Sequence, residues 1–218
     1  MIRCLELYSG TKSVGKVCDA LGWDSVSVDM ILEANFKCDI MDFNYKQFPK
    51  NYFDIIWASP PCTYYSNLQN CWIGRKIKDG TIVSKEWIEE QRKESDKLIK
   101  KTLEIINYFN PELWFLENPQ RGQLKYREVV KGLNFYDVSY CMYSDWGYEK
   151  RTRIWTNKKD WNNLICDKSG SCGNMINSQH KKICDGGYDK RKKNSGNGTK
   201  KLDRYRIPED LIFSLFLE

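Results

Sequence analysis

The sequence predicts an α/β protein, an open and mostly parallel twisted sheet flanked by helices, on three observations. A strand-like run, Arg3-Cys4-Leu5-Glu6-Leu7-Tyr8, passes through Gly10 into an apolar helical pattern at Val14, Val17, Cys18 and Leu21. A second run, Phe53 to Trp57, stops at Ala58-Ser59-Pro60-Pro61-Cys62. Proline fixes φ and lacks an N–H, so the pair ends that strand and holds the next side chain at the carboxyl edge of the sheet. A third run, Leu113 to Leu116, delivers Glu117 to the same edge, which is where open α/β sheets bind ligands.

Composition bounds what this sheet can belong to. With 218 residues, 41% apolar and 14% aromatic, the chain supports one main domain with a small appendage. No apolar run approaches the roughly 20 residues of a membrane span, and Met1 to Leu5 lacks a signal-peptide layout. Nine cysteines, an odd number scattered through the chain, argue for reduced thiols rather than a secreted disulfide framework. The expectation is a soluble, non-secreted protein with no membrane partner, cytoplasmic if bacterial or phage-encoded and inside the host if viral. The net charge of +6 is uneven: residues 157–204 hold 12 Lys and Arg against 5 Asp, and the remainder is close to neutral. A solvated loop is one reading of that block and a surface for a polyanion is the other, with nucleic acid the expected partner.

In chain order, Gly10 permits a tight turn and close backbone approach, and the helix start beyond it offers N–H groups to an adenosyl cofactor, or the turn serves packing alone. A strand over Ser25 to Val28 ends at Asp29, about 20 residues past the turn, where an acid can grip two ribose hydroxyls. A short strand over Phe36 to Ile40 places Asp39 at the next edge, facing an adenine amine or capping a turn. Residues 64–83 lack periodicity and hold Arg75 and Lys76, as a lid over nucleic acid would. Ser84 caps a helix whose apolar stripe runs from Trp87 to Phe109 and is core. Glu117, after four large apolar residues, is placed to carry a proton, or makes a cap or ion pair. A strand over Tyr136 to Cys141 comes next. Arg151 and Arg153 then alternate with Thr152 and Ile154, so in a strand both guanidinium groups share one face, suited to an oxyanion, a base carbonyl or a surface ion-pair ladder.

His180 is the single histidine, and a Cys–His or Ser–His couple would require the Cys-rich tail to fold back onto the sheet. A thiol, a glutamate, two arginines and a cofactor turn at the carboxyl ends of parallel strands suit methylation of a pyrimidine ring. Carbon 5 of cytosine is a poor nucleophile until a thiolate adds to carbon 6 and an acid protonates N3, giving an enamine that takes a methyl group. Amino-group methylation requires an aromatic residue where Cys62 stands.

These residues resemble the cytosine-5 methyltransferases, motif by motif in the family's order. Tyr8-Ser9-Gly10 with Ser13-Val14-Gly15 is similar to the cofactor loop, Asp29 to the ribose-binding acid and Asp39 to the adenine-facing acid. Ser59-Pro60-Pro61-Cys62 with Ser66 resembles the nucleophile motif, with Pro60 on the cofactor side and Ser66 toward nucleic acid. Glu117-Asn118 resembles the glutamate motif, Arg151-Thr152-Arg153 the arginine pair, and Arg204 to Ile212 the final helix that completes the cofactor pocket. The resemblance covers residues 1–156 and 203–218. It implies a Rossmann-like S-adenosylmethionine-dependent methyltransferase fold, with a short basic Cys-rich insert. It also implies transfer from S-adenosyl-L-methionine, leaving S-adenosyl-L-homocysteine, to cytosine in DNA through a covalent Cys62 adduct, with Cys62, Glu117, Arg151 and Arg153 as the catalytic set. Departures are Pro119, where valine is usual, and Thr11-Lys12, where a second glycine is common. RNA methylation, and a catalytically silent nucleic-acid-binding homologue, are the alternatives.

The insert, residues 157–202, replaces the family's recognition domain in under 50 residues and carries Lys181, Lys182 and Arg191, expected on the nucleic-acid side. Cys166, Cys172, His180 and Cys184 make a three-thiol, one-imidazole set for structural zinc, or are loop cysteines. The expected division is a catalytic core over 1–156, the insert over 157–202, and a carboxy-terminal helix over 203–218 packed back on the core.

Overall fold

A computed structural model describes residues 1–184, 199, 200 and 202–218. The basic run Lys190 to Lys193, with Arg191, lies outside the described residues. The elements are β1 (Arg3–Leu7), α1 (Ser13–Leu21), β2 (Asp24–Val28), β3 (Ile55–Ala58), α2 (Lys85–Phe109), β4 (Leu113–Pro119), β5 (Phe135–Ser139), β6 (Arg151–Thr156), β7 (Met175–Ile176), β8 (Gln179–His180) and α3 (Glu209–Leu217). Six strands form one sheet in the order β2-β1-β3-β4-β6-β5. The first four are parallel neighbours, while β6 runs antiparallel to both β4 and β5.

The layers follow from the period-2 alternation of buried strands. On one face Trp57, Phe115 and Ile154 pack with Val14 and Val17 of α1 and with Leu211, Ile212 and Leu215 of α3. On the other, Leu5, Leu7 and Ile56 meet Ile105, Ile106 and Phe109 of α2, and Leu116 and Trp155 meet Ile99. As expected, α2 starts at Ser84, whose hydroxyl accepts the Trp87 N–H at 3.1 Å. It ends at Asn110 with φ 45°, ahead of Pro111. Among the described residues, no helix is long and apolar enough to cross a membrane.

Three expectations change. The strand expected over Phe36 to Ile40 is a single parallel bridge, Val28 to Phe36, after which Asp39 caps a turn by accepting the Met41 N–H at 2.9 Å. Glu117 and Asn118 lie within β4, not after it, because pairing with β6 continues to Pro119. Both arginines sit on an antiparallel strand, at its amino end, which reaches the same edge of the sheet by running the opposite way.

Residues 161–184 pack on the body. Trp161 and Cys166 are buried, and the Trp161 indole donates to Ser214 of α3 at 2.9 Å. Asn174, 2% exposed, donates to the carbonyls of Cys141, Ser144 and Cys172 and accepts the Gly147 N–H.

Candidate active site

The site is built where β3 stops at Ala58, level with Leu116, and β4 runs on beside it to Pro119. Pro60 and Pro61 supply no N–H to the ladder. Instead the buried Asn118 amide donates to the Pro60 carbonyl at 3.0 Å, fastening the loop that carries Cys62 to the strand that carries Glu117. Cys62 is exposed and Glu117 buried. The Tyr140 hydroxyl donates to Glu117 Oε1 at 3.1 Å, and Lys150 Nζ lies 3.5 Å from the same oxygen and 4.7 Å from the centre of the Tyr140 ring.

Electrostatics joins these groups. The protein around the Cys62 thiol pushes its pKa above the ordinary value by desolvation first and by the Glu117 charge second, while Lys150 pulls it down. Tyr140 is also pushed well up, by desolvation and then by Glu117, so it stays a protonated donor. Lys150, Tyr140 and Asn118's hold on Pro60 were not singled out in the sequence. One signal was available for Lys150: it shares parity with Thr152 and Ile154, and Ile154 pairs with Glu117.

The arginines do not converge on this cluster. Arg153 pairs with Asn118 and Ile154 with Glu117, so strand alternation sends both guanidinium groups to the face opposite Glu117. Arg153 grips both oxygens of Asp137 at 2.7 and 2.8 Å and lies 3.6 Å from the Phe135 ring centre. Arg151 binds Glu149 at 2.7 Å and the Cys166 carbonyl at 3.1 Å.

Of the expected cofactor residues, Tyr8, Ser9, Gly10 and Asp29 follow β1 and β2 and Ser13, Val14 and Gly15 open α1, while Pro60 lies beyond β3 and Asp39 in the turn after Phe36. Asp29 Oδ2 accepts the Gly10 N–H at 2.9 Å, while Oδ1 accepts those of Ile31 and Leu32. The turn alternates left-handed residues at Tyr8, Gly10 and Lys12 (φ 57°, 51° and 54°), a geometry that only Gly10 adopts without strain. The helix start does not offer all its N–H groups outward: Val14 and Gly15 donate to the buried Glu6 carboxylate at 3.1 and 3.0 Å. Burial pushes Glu6 up to about 7 against those two hydrogen bonds. Tyr8 turns away, its hydroxyl meeting Leu98 and Thr102 of α2. Ser13 accepts the Ile207 N–H at 3.1 Å, joining the turn to the lead-in of α3. Ser9 Oγ is buried with no hydrogen-bond partner among the described residues, an orphan that suits a polar ligand. A cavity of about 720 Å³ lies away from Cys62, between Ser13 and Lys16, the turn after β5, Asn174 and the segment Arg206 to Asp210.

Ser66 accepts the Leu68 N–H and so caps a short 3-10 helix, Asn67–Trp72. Arg75 and Lys76 are exposed beyond it, Arg75 against the Trp72 ring. Lys181 and Lys182 are exposed, with Lys181 donating to the Gly173 carbonyl. The expected metal set is corrected. The ligand atoms of Cys141, Cys166, Cys172 and His180 lie within 4.8 Å of one another, and Cys184 is outside this group. The turn after β5 brings Cys141 in from 25 residues before Cys166, a separation that spacing rules do not reach.

The mostly parallel sheet in the order β2-β1-β3-β4-β6-β5, with helices packed on both faces, is a Rossmann-like α/β fold. The chain is 36% identical over 222 residues to a Frog virus 3 (isolate Goorha) protein named "Probable DNA (cytosine-5)-methyltransferase", covering 98% of each chain. It belongs to the DNA (cytosine-5)-methyltransferase family. No family model matches it. Solved structures similar to it include a prophage-encoded DNA modification methyltransferase of E. coli, with TM-score 0.46, 15% identity, and coverage of 72% of this chain and 46% of that one. The S. pombe Dnmt2 methyltransferase gives 0.46 and 15% over 82% and 57%. The chain thus spans about half the length of these solved proteins.

Proposed function

We propose that this protein methylates carbon 5 of cytosine in DNA, with Cys62 as the nucleophile at carbon 6. The observation that supports this most directly is the exposed Cys62 thiol lying in the opposed fields of Glu117 and Lys150 at one strand edge. S-adenosyl-L-methionine supplies the methyl group when bound and leaves as S-adenosyl-L-homocysteine. Ser9, Gly10 and Asp29 would hold it, the buried Ser9 hydroxyl being the unsatisfied partner such a ligand would meet.

The chain's own residues then have separable tasks. Cys62 forms the sulfur–carbon bond at carbon 6 as a thiolate. Glu117, kept in place by Tyr140 and Lys150, holds the proton at N3 while the ring carries the adduct. A base removes the carbon 5 proton after methylation, and the sulfur–carbon bond breaks. Lys150 stabilises whichever of the two neighbouring groups is anionic. Arg153 reaches a base carbonyl only if Asp137 releases it, so its place in the catalytic set is secondary. Residues 1–156 form the catalytic unit, 203–218 complete its cofactor side, and 157–202 provide the basic contact to the nucleic-acid backbone together with Arg75 and Lys76. The target base leaves its stack at a cost of a few kcal/mol.

The test is covalent trapping. Incubated with cofactor and duplex oligonucleotides carrying 5-fluorocytosine, the protein should give a denaturant-stable adduct that disappears in Cys62→Ser. Trapping on tRNA but not on any duplex DNA would move the substrate to RNA. No adduct on either would favour a silent homologue.

A further inference from the structure

The four ligand atoms that gather behind β5 have no part in methyl transfer, and their chemistry is specific. Three sulfurs and one imidazole nitrogen within 4.8 Å form a donor set typical of structural zinc, not a hydrophobic cluster. The geometry is quantitative. With zinc–sulfur and zinc–nitrogen bonds of about 2.3 and 2.0–2.1 Å, a tetrahedral site separates its sulfur and nitrogen atoms by about 3.6 Å. His180 Nε2 lies 3.7 Å from Cys166 Sγ and 3.7 Å from Cys172 Sγ.

The surroundings are those of a built site. His180 is presented by a two-residue hairpin between β7 and β8, whose corner residues Asn177 and Ser178 have φ 50° and 62°, as a type I′ turn requires. The carbonyls of Cys141 and Cys172 are both held by the buried Asn174 amide, and that of Cys166 by Arg151. Such outer contacts orient the ligand-bearing backbone.

We propose that Cys141, Cys166, Cys172 and His180 bind one zinc ion that staples the insert to the catalytic body. Cys141 is the decisive ligand, because it belongs to the body: it follows Tyr140, whose hydroxyl holds Glu117. The other three come from the insert, which has few apolar residues of its own to bury. Zinc uptake displaces the protons of those ligand thiols still protonated, so binding weakens as pH falls. The site does not depend on the methyl-transfer reading, since metal content reports it directly.

The test uses the full chain purified without a polyhistidine tag under reducing conditions. Elemental analysis should give about one zinc per chain, and cobalt substitution should give the visible bands of a tetrahedral thiolate site. Cys184→Ser should keep both signals, while Cys141→Ser and His180→Ala should reduce metal content at least tenfold. Should Cys141→Ser fail to fold, alkylation of the unaltered chain decides: a chelator should expose Cys141, Cys166 and Cys172 together. The proposal is overturned by less than one-tenth equivalent of metal after reconstitution, by disulfides among these cysteines in the purified reduced protein, or by metal lost in Cys184→Ser and retained in Cys141→Ser.

Discussion

The charge balance at Cys62 makes a prediction that needs no substrate. Glu117 raises the thiol pKa and Lys150 lowers it, and the two lie 3.5 Å apart, so removing either leaves the other unopposed. Charges within about 4–6 Å of a titrating group move it by one to three units, and the low end applies because Cys62 faces solvent. At an effective dielectric of about 40, a charge in the middle of that range contributes about 1.7 kcal/mol, close to a tenfold change in the thiolate fraction. Glu117→Gln should therefore lower the midpoint of Cys62 alkylation by about one pH unit, and Lys150→Met should raise it by about one. The assay is iodoacetamide labelling of Cys62 followed by mass spectrometry between pH 7 and 10.5. At a fixed pH below both midpoints the two variants should differ about 100-fold in rate, apart from intrinsic nucleophilicity. A midpoint that does not fall in Glu117→Gln, or that falls in Lys150→Met, would refute the shared field on which the site rests.

Other expectations concern stability. Glu6 has a folded pKa near 7 against an ordinary 4.5, so it binds more protons folded than unfolded; its contribution is full below pH 4.5 and is lost as pH rises through about 7. Urea titrations should show the chain losing about 3 kcal/mol more than Glu6→Gln between pH 4.5 and 7.5. Asn174→Ala strands three carbonyls and one N–H and should cost about 3 kcal/mol, read from the denaturation midpoint. Leu215→Ala, at a fully buried position where α3 meets the sheet, should cost about 2–5 kcal/mol by the same measurement. Tyr65→Phe removes the hydroxyl that donates to Asp96 at 2.9 Å and should cost about 1–2 kcal/mol, with faster proteolysis of residues 64–83.

The legible parts of this molecule are those encoded locally. The glycine turn, the proline stop after β3 and the Ser84 cap with the α2 stripe each arise from neighbours within a few residues and stand where the pattern puts them, whereas the final helix, expected over 203–218 by resemblance alone, begins at Glu209. Asp29 next to Gly10 was legible too, because the βαβ connection fixes which strand ends meet. What escaped depends on register and direction. Alternation correctly placed Arg151 and Arg153 on one face, but only the pairing of Asn118 with Arg153 says which face, and it is the one away from Glu117. Glu6 reads as an ordinary strand residue until the chain turns back and sets Val14 and Gly15 above it. Local pattern puts Cys141 at the end of a strand and spacing puts Cys184 among the ligands, whereas the turn that brings Cys141 to His180 is a tertiary event.

The single amide linking Asn118 to the Pro60 carbonyl has a mechanical corollary. After Ser59, whose N–H donates to the Leu7 carbonyl, Pro60 and Pro61 have no backbone N–H, and the Pro60 carbonyl accepts from a side chain of the adjacent strand as a further tether. A displacement of β4 would drag the sulfur with it. Thiol and carboxylate are thus carried by two segments pinned to each other one bond away from the chemistry, like two blades sharing a rivet.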